Sequence, residues 1–181
     1  MAGPLDGLRV LEIAHERTAY AGKLLADAGA DVLLLEPPGG CAQRGHEPFA
    51  DDRPDPERSL SFWHYNTSKR GLTLALDTPR GRDLARELIA RADVVLDGED
   101  PGRLAALGID ADGELERCAR LVWVAITPYG RSTPRAHEPA TDLTLLAGGG
   151  PVWSCGYDDH TIPPVRGAGG QAFHIGGHYA V

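Results

Sequence analysis

Three places in this 181-residue chain group side chains that could do chemistry. Asn66-Thr67-Ser68-Lys69-Arg70 sets two cations beside three short hydrogen-bonding side chains. Such groups hold phosphate, arginine through two parallel bonds and lysine as a point charge; an ordinary solvated basic turn has the same composition. Arg17 lies in the stretch Ala14–Tyr20, just ahead of a helical run, where a guanidinium and a helix N-terminus together suit an anion; its plain alternative is a solvated arginine. Glu36 closes an apolar run, the place where an acidic residue binds ribose hydroxyls in dinucleotide folds, or where a carboxylate simply faces water.

Other patterns carry less. His174 and His178 are four apart and would share a helix face, but no glutamate adjoins the first and no third ligand is evident, so no metal is expected. Asp158-Asp159-His160 is a polar loop with no assignable role. Ala14–Tyr20 contains no glycine, which speaks against an NAD or FAD site, because a pyrophosphate needs glycine for close backbone approach. The G-x-x-x-x-G-K-[ST] loop and the G-x-S-x-G elbow are absent.

The elements that would position these groups alternate. Leu8–Ile13 reads as a strand, Ala19–Ala28 as a helix and Val32–Leu35 as a fully apolar strand, together a complete βαβ unit with a right-handed crossover. Residues 37–58 are a long loop rich in Pro, Gly and charge. Gly71–Leu76 reads as a strand, and Thr78-Pro79 as the cap and first residue of a helix over Arg80–Arg91. Ala92–Leu96 is a short buried strand. A short helix follows the turn at Asp100-Pro101-Gly102, a second spans Glu114–Arg120, and Leu121–Thr127 is an apolar strand. This alternation predicts an α/β protein with a doubly wound, mostly parallel sheet, whose ligand binds at the carboxyl ends of the strands. Residues 1–150 are expected to form this domain. Residues 151–181 read as a Gly/Pro-rich loop and the start of a helix, with no C-terminal stop signal, leading into a further C-terminal part.

Composition narrows the partners. A net charge of −8 argues against nucleic acid and anionic membrane, and no apolar run approaches the ~20 residues of a membrane span. Cys41, Cys118 and Cys155 show no CxxC spacing and suit reduced thiols in a cytoplasmic protein. Lys23 and Lys69 are the only lysines, so nearly all the positive charge is arginine and each lysine stands out.

An ordered series of segments then resembles the class III coenzyme A transferases, the group of formyl-CoA transferase, carnitine CoA-transferase and alpha-methylacyl-CoA racemase. The series includes PLDGLRVLEIA (4–14), AGKLLADAGADVLLLEPPGG (21–40), NTSKRGLTLAL (66–76), TPRGRDLARELIARADVVLDG (78–98), LVWVAITPYG (121–130) and PPVRGAGGQAFHIGG (163–177). The resemblance covers nearly the whole chain but only the N-terminal half of a typical member. It implies a Rossmann-like CoA-binding domain and assembly as an interlocked homodimer, or as a hetero-oligomer with a chain supplying the second half. Coenzyme A or acyl-CoA would be a substrate, with no separate cofactor. The resemblance implies CoA contacts from the first βα loop, the loop after Glu36, the Asn66–Arg70 segment and the loop after Leu96; Arg44, Asn66, Lys69 and Arg70 sit at matching places.

The departures concern the reacting groups. The family's Ala-Gly-Pro in the first βα loop falls on Arg17-Thr18-Ala19 or Thr18-Ala19-Tyr20, and its Asn-Phe (or Asn-Tyr) after the fourth strand is Gly98-Glu99. The transferase nucleophile is an aspartate four residues before a glycine; counting back from Gly177 gives Phe173, and a shift of one gives His174. The racemase histidine falls on Thr141. Two functions are therefore expected as alternatives: CoA transfer between an acyl-CoA and a carboxylate, or a catalytically inactive CoA-binding or assembly subunit that needs a partner chain.

Overall fold

A computed structural model describes residues 3–156, 159, 161–165, 167 and 169–181. Five strands form one sheet: β1 (Arg9–Ile13), β2 (Asp31–Glu36), β3 (Arg70–Thr73), β4 (Val94–Asp97) and β5 (Val122–Ala125). Their order is β3-β2-β1-β4-β5 and every pairing is parallel. The order reverses between β1 and β4, so a crevice opens there at the carboxyl rim.

Parallel strands are covered on both faces, and alternation in β1 sorts its residues between two cores. Leu11 and Ile13 pack with Ala85 and Ile89 of α3 (Pro79–Ile89) and with Leu104 and Ile109, alongside α4 (Arg103–Ala106) and α5 (Ala111–Arg117). Val10 faces the other way, onto Ala21, Leu25 and Ala26 of α1 (Glu16–Asp27), with Val32 and Leu96. The remaining helices are α2 (Leu60–Asn66), α6 (Asp142–Gly148) and α7 (Gln171–Ala180). α7 packs against α1, and the approach is close: a Cβ on Gly177 would lie 2.9 Å from Tyr20 Cδ1.

Several boundaries differ from the expected ones, each for a local reason. α1 starts at Glu16 rather than Ala19, because His15 caps it by accepting the Arg17 N–H at 3.2 Å through Nδ1. The loop after β1 is therefore only Ala14–His15, and Arg17 belongs to the helix. β3 stops at Thr73 rather than Leu76, since its one partner, β2, ends at Glu36. Asp110 starts α5 at Ala111 rather than Glu114 by accepting the Gly113 N–H, and the helix is over at Arg117. α2 emerges inside Ser59–Arg70, capped by the buried Ser59, which accepts the Phe62 N–H at 3.1 Å. In the expected loop 37–58, two short 3-10 turns form at Ala42–Gly45 and Ala50–Asp52. A third lies at Pro151–Ser154, inside the Gly/Pro-rich loop expected after residue 150.

Candidate CoA-binding site at the carboxyl rim

Two of the clefts at the carboxyl rim flank the N-terminus of α1. His15 lines the larger, of about 520 Å3, with Ile13, Leu35, Leu74, Leu76 and Leu104 as apolar walls and Asp77, Glu99 and Arg103 as polar groups. Arg17 lines the smaller, of about 310 Å3, whose walls include Ile126, Leu145, Leu146, Phe173 and Ile175. Both volumes fall near or within the roughly 300–1,000 Å3 of small-ligand sites.

Charge at the rim is shaped by burial. His15 is held below its ordinary pKa by desolvation and by neighbouring Arg17, so its ring is neutral and free to cap. Glu99 is pushed upward by desolvation and by Asp97. Asp97 is itself raised by burial, although it accepts hydrogen bonds from Glu99 N at 2.9 Å and Trp123 Nε1 at 3.2 Å. Arg17 crosses the crevice, donating from Nη1 to Gly98 O (2.9 Å) and Asp100 Oδ1 (2.8 Å). Among the described residues, no hydrogen bond engages its Nε or Nη2.

The other expected contact residues are placed differently. Glu36 is buried at the end of β2, where Arg44 clamps it from Nε (2.6 Å) and Nη2 (2.8 Å) and the Cys41 N–H adds a third bond. Burial opposes the Glu36 charge, but these donors outweigh it and lower its pKa. Arg44 also reaches Glu57 and stacks over the Phe62 ring at 3.9 Å, so the pair pins the long loop to α2. Arg70 opens β3 at the amino-terminal edge of the sheet, in a bidentate pair with Asp31 (2.8 and 2.7 Å), away from the carboxyl rim.

Lys69 turns inward to a partner that no sequence motif marks. Its ammonium is 2.7 Å from Glu12 Oε2, with side chains 1% and 0% exposed, and it donates to Ala19 O and Asn66 Oδ1 at 2.9 Å each. Two of its protons thus meet oxygen acceptors, while the contact with Glu12 is an ion pair whose Oε2 has no aligned hydrogen-bond donor among the described residues. Asn66 continues the network to Gln43 Oε1 at 3.0 Å. Desolvation raises Glu12 to about 7 and lowers Lys69, each opposed by the other's charge. Gly22 makes the room: a Cβ there would sit 1.8 Å from Glu12 Oε2. The available signal was a glutamate inside the apolar strand RVLEI of a sheet buried on both faces, in a chain with two lysines.

α7 separates the two residues expected at the nucleophile position. Phe173 lines the smaller cleft. His174 lies on another side of the helix, its Nε2 2.6 Å from Tyr65 Oη and its ring 4.4 Å from that of Tyr20. His178 contacts Tyr20 Oη at 3.3 Å, and no trio of His, Cys, Asp or Glu among the described residues could hold a metal. Thr141 caps α6. Asp142, which no sequence pattern singles out, joins α6 to α7: its Oδ1 accepts the Ala172 N–H at 2.8 Å, while its buried Oδ2 has no partner among the described residues. Asp159 folds onto Thr161; Asp158 and His160 lie outside the described residues.

Comparison with known proteins gives the chain a family. The sequence profile of CoA-transferase family III matches residues 5–181. The succinyl-CoA:(R)-benzylsuccinate CoA-transferase subunit BbsE of Thauera aromatica is 36% identical over 180 residues, 99% of this chain and 43% of its own length. The formyl-CoA:oxalate CoA-transferase of Streptomyces coelicolor is 34% identical, over 96% of this chain and 42% of its own. A crystal structure of a CAIB/BAIF family protein from Brucella suis superposes with a TM-score of 0.83 at 28% identity, over 99% of this chain and 47% of that one. The chain thus spans less than half the length of these relatives, and it belongs to CoA-transferase family III.

Proposed function

We propose that this chain is the CoA-binding part of a class III CoA-transferase, acting in transfer of CoA between an acyl-CoA and a carboxylate. The observation that carries this reading is the pair of clefts meeting at the α1 N-terminus. The larger has apolar walls for a purine base, carboxylates for ribose hydroxyls and Arg103 for phosphate. A pantetheine arm passing over the helix N-terminus would bring the thioester into the smaller. Residues 1–150 would form the binding unit, with 151–181 leading out of it. Of the expected contact residues, Arg17 would meet the ligand directly. Glu36, Arg44, Asn66 and Lys69 would hold the flanking loops and α2 in place.

Transfer requires a nucleophile to attack the thioester carbonyl, forming an acyl–enzyme bond and releasing CoA thiolate. Phe173 supplies none, and His174 is turned onto Tyr65. These positions favour a second reading, in which this chain is a subunit and the reacting carboxylate comes from a partner; the relative from Thauera is itself named a subunit. A cytoplasmic oligomer, homodimeric or hetero-oligomeric, suits both readings. Calorimetric titration with CoA tests the shared part: saturable binding is expected, and no heat at millimolar CoA would remove both. Hydroxylamine trapping of an acyl–enzyme separates them. An adduct on this chain supports the enzyme, and an adduct only on an added partner supports the subunit.

A further inference from the structure

The smaller cleft is asymmetric in a way that selects a ligand. Its walls are apolar, from β5's exit (Ile126, Pro128), α6 (Leu145, Leu146) and α7 (Phe173, Ile175). Arg17, whose side chain is only 18% exposed, is the one basic residue among the described residues of its lining. Nη1 is fixed by Gly98 O and Asp100, which orients the fork, and the Nε and Nη2 donors carry no hydrogen bond among the described residues. Thr127, Thr141 and the exposed Glu16 complete the polar part of the lining. A diacid would find one cation and then an apolar wall, where an unpaired carboxylate is costly. A single carboxylate on an apolar body matches both ends.

Resting on the CoA-transfer reading, we propose that this cleft binds an apolar monocarboxylic acid, its hydrocarbon among α6 and α7 and its carboxylate on the open edge of Arg17. Arg17 is then the specificity-determining cation, and Phe173 contributes wall surface in place of a reacting group.

Titrating the 181-residue chain with straight-chain alkanoates, beside CoA, tests this. Affinity should climb about fourfold per added methylene from butanoate to octanoate, as the burial of each CH2 dictates. Arg17→Gln should weaken hexanoate at least about tenfold, with loss of the charge-assisted bonds from its open edge, and weaken neutral hexanamide far less. Arg17→Lys should restore part of the loss. Leu145→Trp, which fills the cleft, should abolish octanoate binding. If CoA binds but alkanoates do not, or bind without dependence on chain length, or if Arg17→Gln weakens acid and amide alike, this inference is overturned and the CoA reading stands. Failure of CoA itself would instead strike the underlying reading.

Discussion

Lys69 and Arg17 both bond near the start of α1, yet one is closed and the other open. Lys69 is sealed under the helix with a carboxylate, a carbonyl and an amide oxygen around its ammonium. Arg17 sits at the cleft boundary with one arm engaged and the rest of its fork unbonded among the described residues. The difference teaches that a cation's ligand-binding capacity depends on what the fold sets opposite it. A buried charge must be paired at once, because desolvation outweighs anything a transient ligand repays.

The sharpest way to break this comparison is to remove the closed cation. Lys69→Met leaves Glu12 buried and unpaired and should cost about 3–5 kcal/mol in denaturant unfolding. The double variant Glu12→Leu with Lys69→Met should recover most of that, whereas Arg17→Gln should cost about 1 kcal/mol or less.

Titration gives the next largest effect. With Glu12 near 7 in the fold and in its ordinary range when unfolded, the folded state holds the extra proton between about pH 4.5 and 7. Its contribution to stability therefore falls as pH rises through that window, by up to about 3 kcal/mol, and Glu12→Gln should flatten this part of the profile. The lowered Lys69 pKa works in the opposite sense at alkaline pH, since there the unfolded chain holds more protons.

Gly22→Ala drives a methyl against Glu12 Oε2 and should cost about 2 kcal/mol without changing the Arg17 side. Tyr65→Phe is the mildest. It removes the hydroxyl from His174 Nε2 and should cost about 1 kcal/mol in denaturant unfolding while CoA binding is unchanged.

Most of the frame was legible in the residues. The apolar runs of β1, β2, β4 and β5 and the Thr78-Pro79 helix start lie where period and capping place them, because those signals are local. The errors fall where a boundary depends on a partner. β3 ends where β2 ends, and α1 begins early because a histidine ring, rather than a serine or aspartate, caps it. At the site, the residues singled out by type scattered. Arg70 went to the far edge of the sheet, Lys69 into the core, Glu36 to Arg44, and Arg17 to the rim.

The sequence by itself determined the alternation of strands and helices, the absence of a glycine-rich phosphate loop and the presence of Phe173 and His174 where the resemblance leads one to expect an aspartate, since these are properties of residue order. Only the tertiary structure decided which charges neutralise one another and which face open space. Glu12 and Lys69 are 57 positions apart along the chain and 2.7 Å apart in the fold, and the cleft beside Arg17 is walled by helices more than a hundred residues further on. No local pattern encodes such meetings, because they follow from the register of a parallel sheet and from the crossovers that fold its helices onto the two faces.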